Sequence, residues 1–366
     1  MSLSIKPEDF TCPLPQDNSE TVQLAHGGGS RLAAELIEKM LVPAFADPVL
    51  ARLEDQAVLN PELAAGERLA FTTDSFVVDP LFFPGGSIGE LAINGTVNDL
   101  AMGGARPLYL STALIIEEGL PLEWLRRVVA AMSAAAAAAR VRVVTGDTKV
   151  VGRGACDKLF INTSGIGVVP SGIELSAANL RPGDQIIISG TMADHGMAIM
   201  SCRQGLSFVE ALRSDTAALD GLVAVILAAA GMGGRESGGP SGALRAMRDP
   251  TRGGVAAVLS EMARASGVGV VIAEESLPVA DPVRGACEIL GIDPLFVANE
   301  GKLLAVVAPE AATPVLNAMR AHPLGRQAVI IGEVRAANPG LVALRTLLGP
   351  HRIIDLPAGE LLPRIC

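Results

Sequence analysis

Residues 157–170 read DKLFINTSGIGVVP and residues 301–309 read GKLLAVVAP, and the likeness between them decides the architecture. Each is an apolar run that leaves a polar loop and closes on proline, the pattern of a strand ending in a turn. Working outward, strands are expected at Arg68–Thr73, Leu108–Ile116, Val141–Thr145 and Lys158–Val168, with helices at Ile88–Met102 and Leu122–Arg140. Beyond Pro170 and the RPGD turn at Arg181–Asp184 the plan resumes. Strands are expected at Gln185–Ser189, Val268–Ala273, Lys302–Ala308 and Ala328–Val334. Helices are expected at His195–Ser201, Arg252–Ser266, Pro282–Leu290 and Ala312–Ala321. Two α+β modules follow, related in plan and joined near residues 170–184.

The chain has 366 residues, more than one core of ordinary size needs. The expected parts are an N-terminal arm with a Gly-rich loop and helix (1–42), two α+β domains (43–170 and 171–338), and a tail (339–366) whose last ten residues form an extended arm. Residues 1–20 are polar and Pro-rich and are expected to be mobile. A helix is expected over Arg31–Met40 with Ser30 as N-cap, and GMGGRESGGPSG (231–242) reads as a flexible surface loop.

A formal net charge of -10 argues against nucleic acid and anionic membranes as partners. The apolar stretches Val128–Ala139 and Leu222–Met232 fall short of the ~20 residues of a bilayer span. MSLSIKPEDF is acidic and lacks an apolar run of signal-peptide length, so a cytoplasmic protein is expected. The five cysteines (12, 156, 202, 287 and 366) show no CxxC spacing and read as reduced thiols.

Four aspartates stand in Gly-flanked contexts: Asp74 after LAFTT, Asp99 in GTVNDLAMGG, Asp147 in VVTGDTKVV and Asp249 in RDPTRGG. Each alone reads as a turn or helix cap. All four at strand-to-helix transitions suit Mg²⁺, which takes oxygen ligands and bridges phosphates. HGGGS (26–30) leads into a helix, where bare N–H groups receive phosphate or serve as a plain lead-in. Arg252, Gly253 and Gly254 offer the same two readings. Lys149, beside Asp147, and Glu300, in VANEGKL, are either exposed charges or proton carriers. His195, in MADHGMA, is structural or catalytic. Cys366, the last residue given, is either incidental or a nucleophile on a mobile arm, able to carry a bound group into a site.

AHGGGS, FTTDSFVVDPLFFPGG, GTVNDLAMGGARPLYLS, VTGDTKVV, DHGMAI, MRDPTRGG, VANEGKL, HPLGR and PRIC together resemble the HypE family, the carbamoyl dehydratases of nickel–iron hydrogenase maturation. The resemblance spans about Val22 to Cys366. It implies the two-domain α+β fold of the aminoimidazole-ribonucleotide-synthetase-like superfamily, and dimers formed through the N-terminal domains. It also implies ATP and Mg²⁺ as cofactors. A carbamoyltransferase, HypF, loads Cys366, ATP-dependent dehydration turns the carbamoyl group into a thiocyanate, and cyanide passes to iron on a HypC–HypD complex. On this resemblance Asp74, Asp99 and Asp147 hold the metal. His26, Gly27, Gly28, Gly29, Asn98, His195, Asp249, Arg252 and Gly253 surround the nucleotide, and Lys149 and Glu300 remove protons. Ser30, where a fourth glycine is frequent, Asn94, often cysteine, and the GGRESGGPSG insertion depart from the pattern. Two rivals are a sister enzyme of the selenophosphate, thiamine-phosphate or aminoimidazole-ribonucleotide type, and a nucleotide-binding maturation scaffold. The first acts on a diffusing substrate and needs no Cys366; the second tolerates loss of Lys149 and Glu300.

Overall fold

The structure, a computed structural model, describes residues 20–27, 31–54, 56–206, 212–232, 242–355 and 364–366. The expectations for residues 1–19, Gly28, Gly29, Ser30, the loop interior (233–241) and arm residues 356–363 lie outside the described residues.

Helix α1 (Arg31–Leu36) continues through a π-helical turn (Ile37–Leu41) into α2 (Val42–Phe45). The first module comprises β1 (Arg68–Phe76), a ribbon of β2 (Phe82–Phe83) and β3 (Gly86–Ser87), α3 (Ile88–Met102), β4 (Arg106–Glu117), α4 (Leu122–Ala138), β5 (Arg142–Val151) and β6 (Leu159–Val169). Its four-stranded sheet has the order β1-β6-β4-β5, so β1 and β5 are its edges. Strand β5 runs on past Thr145, where the Gly-Asp pair suggested a stop. Its parallel ladder with β4 continues from Gly146 through Val151, and Gly146 fits because a Cβ there would lie 2.6 Å from the Thr112 carbonyl.

Helix α3 has the expected bounds. Ser87 caps it by accepting the Gly89 N–H, and its small residues let it lie flat on the sheet. A Cβ on Gly95 would stand 2.8 Å from the Phe76 ring, so this glycine sets how closely helix and sheet approach. The opposite face of the sheet is open: Leu69, Phe71 and Ile115 are 55%, 72% and 40% exposed.

The second module comprises β7 (Gln185–Ile188), α5 (Asp194–Gln204), α6 (Asp220–Ala229), β8 (Leu244–Arg248), α7 (Gly254–Ser266), β9 (Gly269–Ala273), α8 (Asp281–Leu290), β10 (Leu304–Val307), α9 (Pro309–Ala321), β11 (Val329–Arg335), β12 (Val342–Arg345) and β13 (His351–Ile354). Its sheet runs β13-β12-β9-β11-β7-β10-β8. Residues 342–354, read from sequence as part of a separate tail, complete this sheet, with β12 parallel to β9 and β13 antiparallel to β12. In this module two elements were not expected, α6 and β8. The apolar run at 222–232 is a helix because it caps an inter-module core: Leu222, Val223 and Ile226 pack with Leu100 and Ala101 of α3 and with Ala305 and Val307. Helix α3 therefore serves both modules and brings its polar side chains to their junction.

Candidate active site

On β1, Thr72, Asp74 and Phe76 alternate toward α3, while Thr73 and Ser75 face the open side. Thr72 Oγ1 donates to Asp99 Oδ2 on α3 at 2.9 Å, and Asp74 Oδ1 accepts the Ser75 N–H at 2.7 Å. The loop after β8 adds Asp249, half-buried, and Arg252, exposed, just before α7. Gly253 and Gly254 have φ of 75° and 62°. A Cβ on Gly254 would lie 2.6 Å from the carbonyls of Leu295 and Val297, so glycine is required both for conformation and for approach to the Glu300 loop.

Glu300 is buried and its main chain is clamped. Its N–H and that of Gly301 donate to Asp215 Oδ1 and Oδ2, each at 3.2 Å, and Lys302 Nζ donates to Asp215 at 3.1 Å. Asn98 Nδ2 reaches the Glu300 carbonyl at 3.4 Å, and Asn98 Oδ1 accepts from Leu219 N–H. Asn98 thus ties the 217–219 segment to the Glu300 loop. Burial raises the pKa of Asp215, but Lys302 and the loop amide outweigh it and hold Asp215 ionised below the usual carboxylate range.

Into this setting comes Cys366, whose thiol lies against the Glu300 carboxyl. Glu300 Oε1 has no hydrogen-bond partner. Burial, with the charges of Asp215, Asp249 and Asp74, pushes Glu300 well above the carboxylate range. Burial and Glu300 likewise push the Cys366 thiol up, with Arg252 pulling weakly the other way. Asp74 and Asp99 are raised by burial, and Asp249 is raised to about 7 by burial and by Asp99. Crowded acids held toward their neutral forms are what a cation would ionise.

No three His, Cys, Asp or Glu groups among the described residues converge tightly enough to hold a metal unaided. Asp74 and Asp99 still fit Mg²⁺, which keeps waters and takes one or two carboxylates together with phosphates. Cation uptake should release protons, because it favours the ionised acids. The affinity for Mg²⁺–nucleotide is therefore expected to rise with pH through about 7, and Asp249→Asn should flatten that rise. Calorimetry in two buffers of different ionisation enthalpy checks it; an affinity unchanged between pH 6 and 8 would refute it.

The remaining sequence candidates lie elsewhere in the chain. Asp147 and Lys149 are in mid-strand on β5, 63% and 65% exposed, with Lys149 Nζ 3.5 Å from Asp147 Oδ2. They share register rows with Ala113 and Ile115 on the open face. Asp74 pairs with Thr163, which bonds the Ala92 carbonyl of α3 on the covered face. The two groups are therefore on opposite faces and three strand spacings apart, roughly 14 Å. One chain alone does not assemble Asp74, Asp99 and Asp147 as a single set. His26 and Gly27 belong with β5, since a Cβ on Gly27 would stand 2.4 Å from the Val150 nitrogen. His195 is fully buried and bonded to the arm, with its Nε2 2.9 Å from the Ile365 carbonyl.

Sequence reading missed Asp215, Lys302, Asn299 and Arg203. Asn299 accepts the Ala193 N–H and donates to Pro250 and Val297, joining the loops before α5 and α7. Its neighbour Glu300 was the only signal for it, in VANEGKL.

Residues 53–169 match the model for the N-terminal domain of AIR synthase related proteins, and residues 181–343 match that for the C-terminal domain. The chain is 53% identical over 345 residues to a carbamoyl dehydratase HypE of Bradyrhizobium diazoefficiens, covering 94% of this chain and 96% of the relative. It is similar to a crystal structure of the hydrogenase maturation protein HypE in complex with ATP, with a TM-score of 0.87 at 45% identity, covering 94% and 99% of the two chains. It is also similar to a HypE–HypF complex, with a TM-score of 0.74 at 48% identity, covering 88% and 99%.

Proposed function

The chain belongs to the HypE family of carbamoyl dehydratases, and from that membership we propose how its own residues carry the reaction. The protein is an ATP-dependent carbamoyl dehydratase of nickel–iron hydrogenase maturation: it converts an S-carbamoyl group on Cys366 to a thiocyanate, the source of the cyanide ligand. The observation that carries the residue assignment is the docked arm, which places the Cys366 thiol against Glu300 beside the aspartates. A HypF-type carbamoyltransferase loads the thiol. Delivery of cyanide to a HypC–HypD complex, and a cytoplasmic setting, complete the reading. Cys156, Cys202, Cys287 and Cys366 are all unpaired, and no helix among the described residues is long and apolar enough to cross a membrane.

An amide oxygen leaves poorly. In the proposed chemistry the carbamoyl oxygen attacks the γ-phosphorus, an O–P bond forms and the bond to ADP breaks. The C–O bond then breaks with loss of phosphate as the nitrogen gives up two protons, leaving –S–C≡N. Glu300, ionised, accepts a proton from nitrogen; the burial that raises its pKa makes it the stronger base. Asp74 and Asp99 would hold Mg²⁺, which would supply positive charge against the phosphates, and Arg252 would reach the phosphates from the α7 end.

Asp147, Lys149, His26 and Gly27 join this site from a second copy. The open, apolar face of the four-stranded sheet is what a twofold partner would cover, and β5 rims that face. Pairing the two open faces brings the β5 rim of one copy toward the Cys366 site of the other.

The test is mass spectrometry of the C-terminal peptide after incubation with the transferase, carbamoyl phosphate and ATP. Loss of one water from carbamoylated Cys366 is expected. A carbamoyl adduct that persists with ATP present would overturn the reading. Cys366→Ala should abolish coupled ATP hydrolysis, whereas an enzyme acting on a diffusing substrate would keep it.

A further inference from the structure

The last three residues are gripped by their main chain. Val77 N–H donates to the Cys366 carbonyl at 3.2 Å and Asp79 N–H to the Arg364 carbonyl at 3.4 Å, so the two segments run antiparallel. Arg203 ties the two segments together, with Nε on the Asp79 carbonyl at 2.6 Å and a second nitrogen on the Arg364 carbonyl. Between these bonds the Ile365 carbonyl turns the other way and meets His195 Nε2.

A carbonyl only accepts, so Nε2 carries the hydrogen. Nδ1 lies 2.7 Å from Ser214 Oγ, and Ser214 Oγ already accepts the Thr216 N–H at 3.1 Å. In the neutral ring that burial favours, Nδ1 accepts the Ser214 hydroxyl hydrogen. Burial pushes the His195 pKa down, although Asp215 opposes it. The Phe83 ring stands edge-on at 5.6 Å and holds the imidazole plane. Both ring nitrogens are engaged, which leaves neither for a nucleotide. The Ile365 side chain is 3% exposed, in the core cluster that includes Phe76 and Val78.

We propose that His195 is the positioning residue of the terminal arm and that Ile365 is its apolar anchor, together fixing the register that delivers the Cys366 sulfur to Glu300. Main-chain bonds to Val77 and Asp79 hold any sequence and leave register open. A slip of one residue would turn Ile365 out of the core and remove the His195 bond together, so the two features discriminate one register from its neighbours. The proposal rests on the reading of Cys366 as carrier only for its purpose.

The test uses the full-length protein without ATP or carbamoyl donor. Iodoacetamide is added, and alkylation of each cysteine peptide is followed by mass spectrometry. Exposed Cys202 sets the reference rate, and buried Cys287 reports unfolding. His195→Ala should speed Cys366 alkylation about fivefold to tenfold, the effect of one lost buried hydrogen bond. His195→Gln, which keeps an N–H donor, should reverse most of that rise. Ile365→Ala should raise the Cys366 rate as well, with Cys287 unchanged. An unaltered Cys366 rate in His195→Ala would overturn the proposal. So would a rise shared with Cys287 and not reversed by glutamine. Failure to detect a thiocyanate would refute the dehydratase reading and leave this measurement untouched.

Discussion

Replacing Glu300 by glutamine is expected to slow conversion of carbamoylated Cys366 to thiocyanate by about 10²- to 10⁴-fold, the range of a lost general base. Glu300 is the carboxyl that lies against the sulfur, and glutamine matches its shape without accepting a proton. The clamp on this loop is made by main-chain N–H groups to Asp215, which the substitution leaves in place. The loss should therefore fall on chemistry, with arm docking retained. The pH profile separates the two. Because the Glu300 pKa is raised, the wild-type rate should climb as pH rises through it, where the base becomes ionised. In Glu300→Gln that acid limb should vanish. Single-turnover assays on pre-carbamoylated protein across pH check this; a variant that turns over at the wild-type rate would remove Glu300 from the mechanism.

The second large effect is a restoration. Cys366→Ala and Lys149→Ala should each be inactive alone, and co-expressing them should recover about a quarter of wild-type turnover. In a twofold dimer about half the assemblies are mixed, each with one site that pairs an intact Cys366 with the partner's Lys149. The geometry asks for this: Lys149 is on the open face of β5, at the far edge of the sheet from Asp74. If Lys149 served its own chain, no mixed dimer would hold a complete site and the mixture would stay inactive. Purifying the mixed dimer with two different tags gives the answer without assumptions about exchange.

The fold was largely legible because its signals are local. Helix α3 has the bounds Ile88–Met102 set by Ser87 and a run of small and apolar residues. Most strands differ from expectation by a residue or two at their ends. Helix α6 was hidden because it is apolar enough to read as a buried run, and only its packing across two modules makes it a helix. Strand β5 was cut short because Gly146 and Asp147 mimic a turn, whereas its ladder with β4 carries the chain through both.

By itself the sequence determined the alternation of elements, the acidic and glycine-rich motifs, and the isolation of Cys366 as a thiol of unusual placement. These depend on residues within one turn or one strand of each other. The tertiary structure alone decided which of those motifs meet. Period-two alternation puts Asp74 and Asp147 on opposite faces of one sheet, so two aspartates that look alike in sequence belong to different surfaces. Glu300 is clamped by Asp215, 85 positions away, and His195 holds Ile365 across 170. Burial at those long-range contacts is what raises Glu300, keeps His195 neutral and seats the arm, and no local pattern encodes it.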